Sequence, residues 1–262
     1  MEKPSLKWNA ALYQGSSSLQ YDLGIKAIEM LNPGSQETIM DLGCGNGLLT
    51  IELASRVPRG HVTGIEASLE MIEIAKDNVA QRGISNITLV NRDALKIDFN
   101  EEFDALFSNS AIHWIHDLKE MYRLIFRSLK PGGRIMVQTS LKEPNTLYET
   151  IFAILQVERY RSYYKNMTWP WKFLTREENR ELLSGTGFIC IEVERYEHNY
   201  VFKNINELSG YLESAPMVPF ISRLPEEEHQ GFKELFVATY LDKNNAKADA
   251  ISARAFISAR KP

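Results

Sequence analysis

A dense group of glycines between two apolar segments constrains this chain more than any other feature of its 262 residues. The mainly apolar run 39–42 is followed by Gly43, Gly45 and Gly47, and a helix-like segment begins directly afterwards. Glycine is favoured where the backbone takes a positive φ or where a ligand approaches the backbone closely. A helix N-terminus also presents free N–H groups and a partial positive charge. The pattern predicts a strand, a ligand-binding turn and a helix, with a tight turn without a ligand as the alternative.

Strand-like and helix-like segments alternate through the first half of the chain, which is typical of a parallel α/β sheet. The patterns predict strands at 38–42, 60–66, 86–91, 103–108 and 134–140, with helices between them. A long helix-like segment at 144–164 follows, and strands at 188–200 and 250–258 come late. The two late strands can pair as a hairpin at the edge of the sheet.

The charge balance and the cysteine content exclude several classes of protein. Thirty basic and 34 acidic residues give a net charge of −4, so nothing draws the whole chain to nucleic acid or to an anionic membrane. Two cysteines suit a reducing compartment and leave no cysteine-rich metal site. No apolar stretch approaches the roughly 18 residues of a membrane span, and the polar N-terminus lacks a signal-peptide core. We expect a soluble, cytoplasmic protein with a single domain over residues 1–262.

The residues around the glycine turn limit the classes of ligand that it can bind. A phosphate-binding P-loop needs a Lys-Ser/Thr pair that is missing here, and the dinucleotide pattern G-x-G-x-x-G fails because position 48 is Leu48. The carboxylate of Asp41, just before the turn, would repel a pyrophosphate and suits a cationic ligand better. Glu66 ends the second strand, where an acid can accept both hydroxyls of a ribose or can simply favour a helix start. Asp93, after the third strand, can accept a hydrogen bond from an adenine amino group or can be an ordinary turn residue.

With these residues in this order, the chain resembles the class I S-adenosylmethionine-dependent methyltransferases over about residues 38–140. The segments 41–47, 66–67, 93–94, 103–109 and 129–133 are similar to five motifs of that family. The resemblance implies a Rossmann-like, doubly wound α/β sheet of seven strands, mostly parallel with an antiparallel edge strand, plus helical cap insertions. It implies S-adenosyl-L-methionine as the cofactor. The cofactor-binding residues that it implies are Tyr13, Gln20, Asp41, Gly43, Gly45, Gly47, Glu66, Ala67, Asp93, Ala94, Asn109 and Ser110.

The methyl acceptor is suggested by two further segments. Residues 12–20 resemble the N-terminus of juvenile hormone acid methyltransferases, residues 8–13 resemble that of trans-aconitate methyltransferases, and both groups carry a Trp in the place of Trp114. In the juvenile hormone enzymes, the residues matched by Gln20 and Trp114 hold the substrate carboxyl. The resemblance therefore implies a small-molecule acceptor that is a carboxylic acid, which is ionised at neutral pH and needs no general base.

Each of these acceptor-site residues also has a structural interpretation. Trp114 can be a core aromatic, Gln20 can cap a helix or face solvent, and Tyr13 can pack or can contact the cofactor. His113, the third candidate catalytic residue, is a hydrogen-bonded turn residue or a base. His113 and His116 lie three residues apart, but no carboxylate or cysteine cluster accompanies them, so no metal site is predicted.

Aromatic residues are concentrated after the predicted core. Eight of the chain's 27 aromatic residues lie within 148–173, where they could line an apolar pocket or pack a helix on the sheet. Arg159 and Arg161 lie among them and could meet an anionic substrate. We interpret 1–31 as an N-terminal lid and helix, 38–140 as the cofactor-binding core, and 141–175 and 204–245 as substrate-cap insertions.

Several other readings stay open from the sequence. The chain also resembles malonyl-acyl-carrier-protein methyltransferases, and C- or N-methylation of a small molecule would use the same core. A nicotinamide-dependent oxidoreductase is opposed by Asp41 and Leu48. A binding module without catalysis would be expected to lack Gly43, Gly45 or Glu66. No nucleic-acid or membrane partner is predicted, and we expect a monomer or a weak homo-oligomer.

Overall fold

The computed structural model describes residues 18–214 and 216–262. Seven strands form one sheet in the order β3-β2-β1-β4-β5-β7-β6. Their bounds are β1 Thr38–Leu42, β2 His61–Glu66, β3 Ile87–Asn91, β4 Phe103–Asn109, β5 Leu129–Ser140, β6 Ile189–Val201 and β7 Asp249–Arg260. The pairs β1–β2, β1–β4, β2–β3 and β4–β5 are parallel, and β7 is antiparallel to β5. The predicted seven-stranded, mostly parallel sheet is confirmed. The antiparallel strand β7 lies between β5 and β6, so that β6 is the edge strand.

Ten α-helices are assigned among the described residues. They are α1 Ser18–Leu31, α2 Leu48–Arg56, α3 Leu69–Gln81, α4 Leu118–Ser128, α5 Thr146–Leu155, α6 Glu158–Arg161, α7 Arg176–Thr186, α8 Ile205–Ser214, α9 Val218–Ile221 and α10 Glu226–Lys243. Short 3₁₀ turns occupy Ala94–Lys96, Ile112–Trp114 and Ser162–Tyr164. In the part of the chain that the structure describes, no helix is both long and apolar enough to cross a membrane.

The chain divides into two compact units. The first, which we call the sheet unit, comprises Gln20–Lys142, Trp171–Tyr196 and Ala253–Pro262. The second, which we call the helical unit, includes Glu143–Pro170 and Glu197–Ser252. The assignment of 141–175 and 204–245 as a substrate cap stays a prediction. The structure does place Trp171 and Phe173, which the sequence grouped with that cap, in the sheet unit.

The sheet unit buries an apolar core on each face of its sheet. Helix α4 covers one face with Met121, Tyr122 and Ile125, all fully buried, and Asp117 caps its N-terminus by accepting a 3.0 Å bond from the Glu120 N–H. Helix α1 covers the other face, where Ala27 and Ile28 pack among residues of β1, β4 and β5. With both faces covered, the parallel strands present their functional residues at their carboxyl ends.

Two local predictions are wrong. The strand predicted at 134–140 begins earlier, because the segment 129–133 also belongs to β5. The register of the ladder shifts there, since Phe103 pairs with Leu129 whereas Ala105 pairs with Arg134. Gly132, at φ 77°, gives the extra residues a local bulge without ending the strand. The helix expected at 144–164 is broken after Leu155, where the chain turns and the buried ring of Tyr160 packs edge-on against Phe232, with the ring centroids 5.3 Å apart. Tertiary packing overrides helix propensity there.

Candidate functional site

The glycine turn after β1 takes the conformation that its composition predicts. Gly43, Gly45 and Gly47 have φ values of 77°, 54° and 77°, in the left-handed region where a side chain is disfavoured. Gly47 is the N-cap of α2 and has no side chain, and the first helical N–H, that of Leu48, donates to Asn46 Oδ1 at 3.3 Å. The N-terminus of α2 directs its N–H groups and its partial positive charge toward the glycine turn.

The three glycines face different surroundings. A Cβ on Gly43 would overlap Ala111 Cβ, and one on Gly47 would lie 2.9 Å from Ala75 Cβ. Gly45 differs, because its nearest neighbour would be the flexible end of Met71 at 3.6 Å. Gly43 and Gly47 are thus required for packing within the protein, whereas Gly45 leaves space beside the backbone.

Glu66, at the end of β2, is held by backbone donors on both of its carboxylate oxygens. Its Oε2 accepts a hydrogen bond from the N–H of Gly45 at 3.1 Å, and its Oε1 accepts one from the N–H of Ser68 at 2.9 Å. Ala67, the next residue, is exposed. The carboxylate is half-buried and fixed in orientation, with further lone pairs on its oxygens to accept ligand hydroxyls.

Asp41 places a second carboxyl group directly before the glycine turn. It is buried and accepts a 2.6 Å hydrogen bond from the hydroxyl of Thr50 in α2. Burial, and to a lesser extent the negative charge of Glu66, raise the pKa of Asp41 to about 7, against the lowering effect of the Thr50 bond. Burial and the same two acids also raise the pKa of the Cys44 thiol. A cation near this turn would be stabilised, and an anion would be repelled.

The turn after β3 supports the same end of the sheet. Asn91 donates from Nδ2 to the carbonyl oxygens of Glu66 and Ala67, both at 3.0 Å. Asp93 is exposed and caps the 3₁₀ turn, since its Oδ1 accepts a 2.9 Å bond from the Leu95 N–H. Ala94, half-buried, begins that turn. The ends of β2 and β3 are thereby tied together.

Asn109 ends β4, and its two amide atoms differ in their hydrogen bonding among the described residues. Its Nδ2 donates at 2.9 Å to the backbone carbonyl of Gln20, near the start of α1. Its Oδ1 is buried and has no hydrogen-bond partner among the described residues. A buried acceptor left unsatisfied costs about 1–3 kcal/mol. Ser110, the next residue, has a φ of 54° and donates to Gln138 Oε1 at 2.8 Å.

His113 and Trp114 lie on the 3₁₀ turn after β4. His113 is buried, and its Nδ1 lies 3.2 Å from the hydroxyl of Thr139. Burial, with a smaller effect from the positive charge of Arg254, lowers the pKa of His113 to about 3. The imidazole is neutral at physiological pH and a weak base, in keeping with a hydrogen-bonded turn residue.

A short segment of the sheet unit packs against this turn. The N–H of Lys172 donates to the carbonyl of His113 at 2.7 Å. On either side of Lys172, the ring of Trp171 lies 5.7 Å from that of Trp114, and the ring of Phe173 lies 5.3 Å from that of His113. The indole of Trp114 is half-buried among these rings, so it has a defined orientation at the end of β4.

The site residues predicted from the sequence lie at the edge of the sheet, outside the described residues, or in the helical unit. The residues following β1, β2 and β4 are brought to one edge of the sheet together with Gln20. Tyr13 lies outside the described residues. Arg159, predicted to meet an anionic substrate, lies in the helical unit and forms a 2.7 Å ion pair with Glu228. No group of three or more potential metal ligands occurs in residues 18–214 and 216–262.

Arg254 is a residue at this edge that the sequence analysis missed. It is 7% exposed, belongs to β7, and its Nη1 donates to Ser140 Oγ at 2.7 Å. The sequence offered one signal for it, because Arg254 is the one charged residue in the segment 250–259. Its proximity to Ser140 depends on strand pairing across 114 residues, which the sequence pattern does not reveal.

Comparison with known proteins gives a family match. The model of a family described as "Methyltransferase domain" matches residues 33–180, more than half of the chain. The malonyl-[acyl-carrier protein] O-methyltransferase of Bacillus anthracis is 25% identical over 216 residues, which are 77% of this chain and 78% of that protein. The trans-aconitate 2-methyltransferase of Deinococcus radiodurans is 26% identical over 207 residues, 76% of each chain.

A solved structure supports the fold. The phosphoethanolamine N-methyltransferase 2 of Haemonchus contortus, in complex with phosphomonomethylethanolamine and S-adenosylhomocysteine, superposes with a TM-score of 0.61 at 22% identity. The match covers 92% of this chain but only 53% of that chain. At this identity the likeness concerns the fold.

Proposed function

The chain belongs to the methyltransferase-domain family and is an S-adenosylmethionine-dependent methyltransferase, and from this premise we propose that it methylates a carboxylic acid of a small molecule to its methyl ester. The observation that carries the proposal is the position of His113, which is buried with its Nδ1 3.2 Å from the hydroxyl of Thr139. It is the histidine beside the proposed acceptor-binding Trp114, and its pKa of about 3 leaves it without the basicity to deprotonate an acceptor at neutral pH. A carboxylic acid, with a pKa of about 4, arrives already ionised.

The residues at the sheet edge fit the cofactor. The Oδ1 of Asn109, which has no partner in the part of the chain that the structure describes, suits a donor such as an ammonium group. The fixed carboxylate of Glu66 suits ribose hydroxyls, and the space at Gly45 allows close approach to the backbone. When bound, the cofactor supplies an activated methyl group on a sulfonium. The residues proposed to hold it are Tyr13, Gln20, Asp41, Gly43, Gly45, Gly47, Glu66, Ala67, Asp93, Ala94, Asn109 and Ser110.

Gln20 and Trp114 are proposed to orient the acceptor carboxyl. An amide N–H and an indole N–H are neutral donors, so they align a carboxylate without cancelling its charge. Held in this way, the acceptor oxygen would receive the methyl group that the cofactor supplies, and the electron pair of the broken carbon–sulfur bond would stay with the cofactor. Since no proton is transferred, the contribution of the protein is alignment and exclusion of water.

Both relatives carry names that describe acids, malonyl and trans-aconitate, and this supports a carboxyl acceptor here. A free acid and a carrier-bound acid remain two forms of the same proposal. Assaying free dicarboxylic acids beside malonyl-acyl-carrier protein distinguishes them.

The test is a screen of matched acceptors that differ only in the nucleophile. Benzoic and phenylacetic acids, the corresponding phenols and the corresponding amines would be incubated with S-adenosylmethionine beside aliphatic mono- and dicarboxylic acids. We expect methyl esters from one or more acids and no product from phenols or amines. Turnover confined to amines or phenols would overturn the proposal.

A further inference from the structure

We infer that Arg254 binds a second anionic group of the methyl acceptor, so that the enzyme selects dicarboxylic acids over monocarboxylic acids of similar size. The inference rests on the proposed carboxyl methylation and adds a residue and a substrate class to it. It starts from a row of polar side chains at the edge of the sheet.

The row runs along one face of three strands. Asn109 of β4 pairs with Gln138 of β5, and Ser140 of β5 pairs with Arg254 of β7. Paired residues, and residues two apart in a strand, share a face, so these four side chains lie on the same side of the sheet. We call them the edge row.

The edge row lies on the face that α1 covers. Met136 and Phe256, two residues farther along the same face, belong to the core that α1 packs against. Asn109 donates to the carbonyl of Gln20 near the start of that helix. Gln20, proposed to orient the acceptor, and Arg254 therefore share a face and an edge of the sheet.

Arg254 contributes a buried positive charge to this edge. It is 7% exposed, and its Nη1 donates to Ser140 Oγ at 2.7 Å, which holds the side chain at the end of β5. Its charge reaches the turn that carries Trp114, because it lowers the pKa of the neighbouring His113. A planar guanidinium presents paired N–H groups that match a carboxylate in geometry and charge.

Position and chemistry both assign Arg254 to a group other than the reacting carboxyl. Two strand spacings of about 4.8 Å separate β7 from β4, which puts its backbone roughly 10 Å from the end of β4. The attacking oxygen also loses its negative charge in the transition state. A cation paired with it would stabilise the ground state more than the transition state and slow the reaction, whereas a cation on a remote carboxylate adds binding without this penalty.

The test compares each dicarboxylic acid with its own monomethyl ester, for succinic, glutaric, adipic and suberic acids. The readout is the ratio of kcat/KM for the diacid to that for the monoester. In the wild-type enzyme we expect a ratio of roughly tenfold to a hundredfold for the best-fitting length. Arg254→Gln should bring the ratio close to one, mainly by raising KM for the diacid, and Arg254→Lys should keep part of it.

The ratio remains informative if a variant is partly unfolded, because a smaller active fraction lowers both rates equally. Arg260→Gln, the same change at an exposed position at the other end of β7, is the matched control and should leave the ratio unchanged. If Arg254→Gln does not fold, an intermediate ratio in Arg254→Lys supports the inference and an unchanged ratio overturns it.

Two failures can be told apart. If acids are methylated but the wild-type ratio is near one, or survives in Arg254→Gln, the role of Arg254 is wrong and carboxyl methylation stands. If neither the dicarboxylic acids nor their monomethyl esters are methylated while amines or phenols are, the proposed function is wrong and this inference is wrong with it.

Discussion

Glu66 accepts a hydrogen bond from the backbone N–H of Gly45 at 3.1 Å, so the acid that ends β2 is tied to the turn that follows β1. The same carboxylate accepts from the Ser68 N–H. If these bonds set the acid in place for ribose hydroxyls, Glu66→Ala should weaken S-adenosylmethionine binding by roughly 10- to 100-fold, the value of a charged hydrogen bond. Calorimetric titration measures it. Glu70→Ala, at an exposed position in α3, is the control, and equal affinities in both variants would contradict the role.

The buried carboxyl of Asp41 predicts a pH-dependent stability. Its folded-state pKa of about 7 lies above the ordinary value of 3.8 for an aspartic acid, so its favourable contribution to stability is complete below the unfolded-state pKa and is lost as the pH rises to 7. Asp41→Asn, which can still accept the Thr50 hydroxyl, should remove this loss. The variant should gain stability over wild type by a few kcal/mol above pH 7, on the order of 1.4 kcal/mol per pKa unit, and little at pH 4. Denaturant unfolding at several pH values tests this, and a difference independent of pH would contradict it.

The same group predicts proton release on cofactor binding. A cationic ligand favours the ionised form of Asp41, so the affinity for S-adenosylmethionine should rise as the pH passes from 6 to 8. Calorimetry in buffers of different ionisation enthalpy counts the protons released. The slope should be lost in Asp41→Asn, and an unchanged slope in that variant would assign the proton to another group.

The unequal surroundings of the glycines predict unequal costs. Gly43→Ala combines a positive φ with overlap on Ala111, so it should destabilise the fold by roughly 2–5 kcal/mol. Gly45→Ala, with nothing nearer than 3.6 Å, should cost only the backbone term of about 1–2 kcal/mol. Thermal or denaturant unfolding gives both values. Adding Ala111→Gly to Gly43→Ala should restore part of the loss, and no recovery would contradict the steric explanation.

Trp114 offers a test that separates acceptor from cofactor. Trp114→Phe keeps an aromatic ring beside Trp171 but removes the indole donor, so KM for the acid should rise roughly tenfold or more while S-adenosylmethionine affinity is unchanged. Tyr122→Phe, which removes a hydroxyl that is buried in the core at helix α4, is the control and should leave both values unchanged. Loss of cofactor binding in Trp114→Phe would point to a structural role for the indole.

The sequence predicts those parts of this site that are built from neighbouring residues. The glycine turn is local, because a positive φ selects glycine where a strand meets a helix. The alternating segments predict the two strands whose ends carry Glu66 and Asn109. Family resemblance, and not spacing, supplied the proposed roles of Gln20 and Trp114. Their positions relative to the cofactor stay predictions.

The remainder depends on contacts between distant segments. Arg254 meets Ser140 only because β7 inserts beside β5, and Trp171 reaches Trp114 although it follows a segment of the helical unit. The break after Leu155 likewise follows from the packing of Tyr160 on Phe232. Periodicity does not carry this information, since each of these residues also suits an ordinary helix or strand.

The chemical nature of the transferred methyl bond tests the central claim most directly. The enzyme would be incubated with methyl-labelled S-adenosylmethionine and the carboxylic acids of the screen, and the labelled product would then be treated with mild alkali. Carboxyl methylation predicts that the label is released as methanol, because alkali hydrolyses methyl esters. A labelled product that withstands alkali, as N-methyl, C-methyl or aryl methyl ether groups do, would contradict the account.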